Sequence, residues 1–207
     1  MRNVRQDSIG HFRVCVRADK RCYESGWWKH PGFWAMFRYR FRRLRKWGPI
    51  WCRLLLPIDI MLSFMSLFGP RCEIPTRTKI GPGLFLPHPD GVILSEKSKV
   101  GCYVSIFQQV TLGCWKNAYP QLKSRSAVFA GAKVIGGAVV GRGACVGANA
   151  VVNKSVPARY VATGIPATNR PMQTDASVPV WSEPELTMEA VKPIAFPKKE
   201  VRERVAM

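Results

Sequence analysis

The chain has 207 residues, room for one ordinary domain with an appendage, and its 47% hydrophobic and 22% charged composition excludes wholesale disorder. Its 32 Lys and Arg against 13 Asp and Glu give a net charge of +19, a surface that attracts anionic partners without choosing between cofactor, lipid and nucleic acid. Seven cysteines with no C-x-x-C pair exclude a disulfide scaffold and a zinc ribbon, and they suit a reducing, cytoplasmic setting. Only three histidines exist, His11, His30 and His88, so any imidazole chemistry rests on these.

Residues 1–24 show no clear period, and nothing in the first twenty reads as a signal peptide. The spacing of Phe33, Phe37, Phe41 and Leu44 predicts a helix over 31–47, with Pro31 in its first turn and Gly48-Pro49 as its stop. The basic-aromatic run Phe37–Trp47 is the expected point of peripheral contact with an anionic membrane at its inner face. Nucleic acid is not expected as a partner, because no motif stands behind the charge. Ile50–Phe68 is apolar but carries Arg53, Pro57 and Asp59. Two charges at about 2.5–3.5 kcal/mol each argue against a membrane span. A second helix, buried or interfacial, is expected there, ended by Gly69-Pro70.

From residue 74 aliphatic side chains recur every six positions. The series runs Ile74, Ile80, Leu86, Val92, then after a two-residue slip Leu94, Val100, Ile106, Leu112. After four further residues it resumes as Leu122, Val128, Val134, Val140, Val146, Val152. Four residues after the anchors of the last run stand Ser126, Ala132, Ala138, Ala144, Ala150 and Val156, all small or β-branched. A period of six fits neither an amphipathic helix nor an alternating strand. It fits a triangular solenoid of 18-residue coils, with anchors pointing inward and glycine or Asn turning the corners. The fold class is therefore mainly β, a hexapeptide-repeat parallel β-helix preceded by a short helical N-terminal region. Three segments follow: a basic, mainly helical region 1–73, the solenoid 74–170, and an extended or disordered tail 171–207.

Several motifs together resemble the hexapeptide acyltransferases, in the serine acetyltransferase-like branch that includes O-acetyltransferases of bacterial surface polysaccharides. They are Gly26–Trp34 leading into Phe37–Arg40, Glu73–Pro75, Lys79–Gly83, His88–Gly91, Gln109–Gly113, Val151–Pro157 and Gly164–Ala167. The resemblance implies a left-handed coil, a homotrimer with sites between walls, and direct transfer of acetyl from acetyl-CoA to a hydroxyl, with no metal. It makes His88 the general base, a role suited to a group whose pKa lies near working pH, and Glu73 its carboxylate partner. Gly113 becomes the backbone donor for the thioester oxyanion and a cofactor contact. Ala130 and Ala148 are placed on the pantetheine arm, and Lys154, Arg159 and Arg170 near the CoA phosphates. Lys29, His30, Asp90 and Tyr119 fall on the acceptor side. The γ-class carbonic anhydrases share the solenoid but need three converging histidines, and two of the three here lie outside the repeat.

Two positions depart from the family pattern. Serine acetyltransferases carry Asp before the catalytic histidine, where this chain has Pro87, and a second histidine in the loop, where it has Tyr119. The region before the solenoid is also short for the large helical bundle that pairs such trimers. On these grounds a sugar hydroxyl of a capsule, exopolysaccharide or lipopolysaccharide, or of its precursor, is the expected acceptor. L-serine, as in cysteine biosynthesis, is the alternative.

Overall fold

The computed structural model describes residues 9–23, 26–65, 69 and 71–172. The expected tail beyond 172 and the end of the second helix at 66–68 lie outside the described residues.

The repeat forms a mainly parallel β-helix with three walls. The first wall stacks Ile93–Leu94, Thr111–Gly113, Lys133–Ile135 and Val151–Val152. The second stacks Lys79–Ile80, Lys99–Val100, Gln121–Leu122 and Val139–Val140. The third stacks Ser105–Ile106, Ala127–Val128, Cys145–Val146 and Tyr160–Thr163, and closes with Thr168–Pro171 as the only antiparallel member. In every rung the hexad anchor points into the lumen. Leu94, Leu112, Val134 and Val152 stack along the first wall and are at most 1% exposed. Each such burial contributes about 1.5–3 kcal/mol. Ala132, Ala138, Ala144 and Ala150 are buried just before strands of the three walls, where larger side chains would push the walls apart.

The irregularities are confined to corners. Two extra residues lie between Leu86 and Leu94, so Phe85 bridges to Ser105 while both Val92 and Leu94 are buried. Four more follow Gly113 and are looped out as a miniature hairpin. In it Trp115 and Ala118 exchange both backbone hydrogen bonds at 3.1 and 2.9 Å, around Lys116 and Asn117 at positive φ. The last coil is shorter, and Val156, read from sequence as a small-position residue, takes the anchor place by bridging to Val140. The positive-φ residues Gly91, Gln109, Gly131 and Asn149 stack at one corner, and Gly83, Tyr103, Arg125, Gly143 and Arg159 at another.

Ahead of the solenoid, α1 (Ile9–Arg21), α2 (Pro31–Trp47) and α3 (Leu56–Met65) cover its first coil. Helix α2 has the predicted bounds, whereas α1 carries no apolar period that announces it. The expected second helix is divided: Ile50–Leu55 forms a 3-10 turn, and α3 restarts with Pro57 in its first turn, where the missing N–H costs nothing.

A first coil has an edge of backbone groups with no preceding rung, and each one left unpaired in the interior costs about 1–3 kcal/mol. The helices supply the partners. Arg40 of α2 donates to the carbonyls of Ile80 at 2.7 Å and Gly81 at 2.5 Å, and to Asp19 of α1 through Nε at 3.0 Å. Asp19 in turn accepts the N–H groups of Gly83 at 2.8 Å and Leu84 at 3.1 Å. Both members of this pair are buried, with side chains 4% and 2% exposed. Tyr39 donates to Thr78 O at 2.6 Å, and Tyr23 both donates to Leu86 O and accepts the Leu86 N–H, each at 3.2 Å. Burial pushes the Tyr23 phenol well above its ordinary range, so it remains a donor.

These contacts correct the picture of Phe37–Trp47 as a basic face turned outward. Arg40 is internal, Arg43 donates to Thr76 O and Thr78 O at 3.3 and 3.2 Å, and Arg45 holds Asp59 of α3 at 2.8 Å. Arg42 lies 3.4 Å from the other Asp59 oxygen, an ion pair without hydrogen-bond geometry.

Removing the carboxylate leaves Arg40 buried and unpaired, so Asp19→Ala is expected to cost about 3–5 kcal/mol in urea unfolding. Arg77→Ala breaks only the exposed pair with Glu96, 60% and 44% exposed, and is expected to cost under about 1 kcal/mol. Equal midpoint shifts for the two would refute the capping role.

Candidate active site

His88 sits where the chain turns from the third wall into the first, in the corner that holds the two extra residues. Its environment is assembled from three sides. Upstream, the start of α2 presses on the strand before it: a Cβ on Gly32 would overlap the Leu86 carbonyl. His30 stacks on Tyr23 with ring centroids 5.1 Å apart, and Tyr23 bonds Leu86. Lys29 and His30, both exposed, therefore stand beside the His88 segment. On the rung below, Arg71 O accepts the Gly91 N–H at 2.7 Å and Glu73 N–H donates to Val92 O at 2.8 Å. Glu73 bridges to Ile93, five residues beyond His88 on the first wall, and both Glu73 and His88 are exposed.

The same corner continues up the solenoid as a column. Gln109 N–H donates to Asp90 O, Gly131 N–H to Gln108 O, and Asn149 N–H to Ala130 O, each at 2.9 Å. Asp90, Ala130 and Ala148 therefore stand in one column that rises from the His88 corner. Gly131 stands at positive φ, and a Cβ there would overlap the side-chain oxygen of Asn149 on the next coil, so glycine is favoured at this position. Gln108, absent from the sequence-derived residues, lies in this column with its Oε1 buried and no hydrogen-bond partner among the described residues. Nothing in the hexad pattern marks it, because its role follows from stacking between coils.

The remaining residues fall elsewhere on a single chain. Gly113 ends its strand at the next corner, in register with Ile135, and its carbonyl accepts the Gly136 N–H at 2.9 Å. A Cβ there would meet only ordinary contacts at 3.9 and 4.0 Å, so the wall is open to close approach. Tyr119 follows the miniature hairpin at that second corner, with Lys97 Nζ 5.4 Å from its ring centre. The basic trio expected to cluster at the C-terminal end is split. Lys154 lies at the second corner, whereas Arg159 and Arg170 adjoin across the closing hairpin, where Met172 N–H donates to Arg159 O at 3.0 Å.

A cleft of about 300 Å³ between α2 and α3 is lined by Trp34, Arg38, Leu62, Cys72 and Ile74 among others. Side chains alternate along an extended strand, so this cleft lies on the opposite side from the Glu73 carboxylate.

No family model matches the chain. A serine acetyltransferase of Synechocystis sp. (strain PCC 6803) is 37% identical over 166 residues, 76% of this chain and 64% of that protein. One from Helicobacter pylori (strain J99) is 37% identical over 143 residues, 67% of this chain and 80% of that protein. The chain belongs to the serine acetyltransferase family. Among solved structures, a serine acetyltransferase from Brucella abortus strain S19 in complex with coenzyme A superposes with a TM-score of 0.66 at 26% identity. It covers 80% of this chain and 70% of that one. The chain spans less than two thirds of the length of the cyanobacterial relatives it matches.

These relatives overturn the expected polysaccharide acceptor. That reading gave two local differences, Pro87 and Tyr119, more weight than the shared pattern over 143 aligned residues. The departure at Pro87 is partly offset, because Asp90 keeps an exposed carboxylate two residues beyond His88.

Stability and access separate at the two glycines. Gly131→Ala is expected to lower the thermal midpoint by several degrees, through positive-φ strain and overlap with Asn149. Gly113→Ala is expected to leave it within about a degree. The reverse order in a melting experiment would contradict the stacking described.

Proposed function

We propose that this chain transfers the acetyl group of acetyl-CoA to the hydroxyl of L-serine. The observation that carries the reading is the 37% identity to a serine acetyltransferase across 80% of that protein's length. The corner geometry supports it, with an exposed imidazole at the foot of the column of Asp90, Ala130 and Ala148.

In this mechanism serine's hydroxyl is too weakly acidic to attack alone. His88 takes its proton as the oxygen bonds to the thioester carbon, and Glu73 steadies the resulting imidazolium. The tetrahedral oxyanion is met by backbone donors at Gly113, and collapse expels the CoA thiolate, which regains the proton from His88. Acetyl-CoA lies along this column, its arm against Ala130 and Ala148 and its phosphates toward Lys154, Arg159 and Arg170. Asp90 pairs with serine's ammonium in place of the family's Asp at position 87, and Lys29 and His30 face its carboxylate.

His88 and Gly113 lie on different corners of one chain, so a complete site takes them from two copies. A homotrimer, with the Trp115–Ala118 hairpin reaching toward a neighbour, meets that need. Light scattering is expected to give three times the 23.3 kDa chain mass.

Thiol release from acetyl-CoA is expected to require L-serine and to fall about 10²–10⁴-fold in His88→Ala. Asp90→Asn is expected to raise the KM for serine about tenfold with little change in kcat, the pattern of a lost ground-state contact. Release that does not depend on serine, or that survives in His88→Ala, would overturn the reading.

A further inference from the structure

Helix α3 is built the reverse way from an ordinary surface helix. Its one charged residue, Asp59, is 3% exposed and faces inward to Arg42 and Arg45. Most of its large apolar side chains face out, and the preceding turn does the same. Ile50, Trp51, Leu54, Ile60, Met61 and Phe64 are between 54 and 82% exposed. A soluble helix puts its apolar stripe on the core and its charges in water. Single exposed apolar residues are ordinary, but a continuous patch of this kind marks a binding surface.

The charge around the patch selects what it meets. Residues 26–65 contain eight Lys and Arg and a single acid, which is the buried Asp59. Lys46 and Arg53 are exposed at the margin, and so are Trp47 and Trp51. Apolar residues rimmed by cations and tryptophans match a bilayer interface, where aromatic rings sit at headgroup level and cations meet lipid phosphates. A second copy of the chain fits less well, because joining two such patches brings Lys46 and Arg53 against their own kind. No helix among the described residues is long and apolar enough to cross a membrane, and α3, with 10 residues, extends about 15 Å.

We propose that the Ile50–Met65 segment docks in the plane of an anionic phospholipid bilayer, its outward apolar side chains entering the headgroup boundary. The contact therefore belongs to this inverted segment, and not to Arg40, Arg43 and Arg45 of α2, which are engaged within the protein. The cleft between α2 and α3, with Trp34, Leu62 and Ile74 beside Arg38, has the mixed character that suits a phospholipid headgroup and its first acyl carbons. This docking does not depend on the identity of the acetyl acceptor.

The test is co-sedimentation of the full-length chain with vesicles of phosphatidylcholine alone or with about a third phosphatidylglycerol. At least tenfold more protein is expected with the anionic vesicles, falling as salt rises through about 0.5 M. Leu54→Glu with Ile60→Glu is expected to abolish recovery while the melting midpoint and serine-dependent thiol release in free solution stay as in wild type. Lys46→Glu with Arg53→Glu is expected to remove the preference for anionic vesicles. Equal recovery with and without vesicles would overturn the proposal. So would Glu variants that bind vesicles normally but show a lowered oligomer mass, which would assign the patch to a second copy.

Discussion

A parallel solenoid would grow without limit unless something stops it, because each coil offers the next a full row of backbone donors and acceptors. Here the stop at the N-terminal end is the buried Asp19–Arg40 pair. The carboxylate collects two N–H groups and the guanidinium two carbonyls of the same coil. A buried ion pair is often a poor source of net stability, since desolvation offsets the attraction. This one has a different value: opposite charges present acceptor and donor side by side, the alternation an absent rung would have supplied. The last coil ends by simpler means, with Thr168–Pro171 folding back antiparallel onto Tyr160–Thr163.

The solenoid was legible because its signal is local and repeated. Each hexad repeats the same demand for an aliphatic anchor, and the sum over many coils is unmistakable. The cap was not legible for the converse reason. Asp19 and Arg40 are 21 positions apart, each occurs once, and Arg40 stands in a run of arginines that reads as a solvated stripe. Val156 was misplaced because a shortened corner changes the phase, and a period is blind to a deletion that falls after its last full repeat.

The site divides in the same way. Ala130 and Ala148 are one coil apart, so the 18-residue spacing was enough to put them in one column above Asp90. Gln108 is invisible to that logic, since its buried oxygen is defined by neighbours on other coils. Lys154, Arg159 and Arg170 look clustered along the chain, yet a triangular coil sends residues five or six apart to different corners. The acceptor was misread because two local differences were weighed above the pattern shared with relatives over 143 aligned residues.

The looped-out hairpin after Gly113 has a consequence for how such a protein can change. Leu112 and Val134 are paired as neighbours although 22 residues separate them, and the spacing returns to 18 at Val152. Added chain is therefore absorbed at the vertex, and the rungs on either side keep their register. Corners act as insertion ports: lineages can lengthen, shorten or rewrite Cys114–Tyr119 while the rungs and the His88 corner keep their places. Specificity and chemistry can then drift at independent rates within one continuous fold.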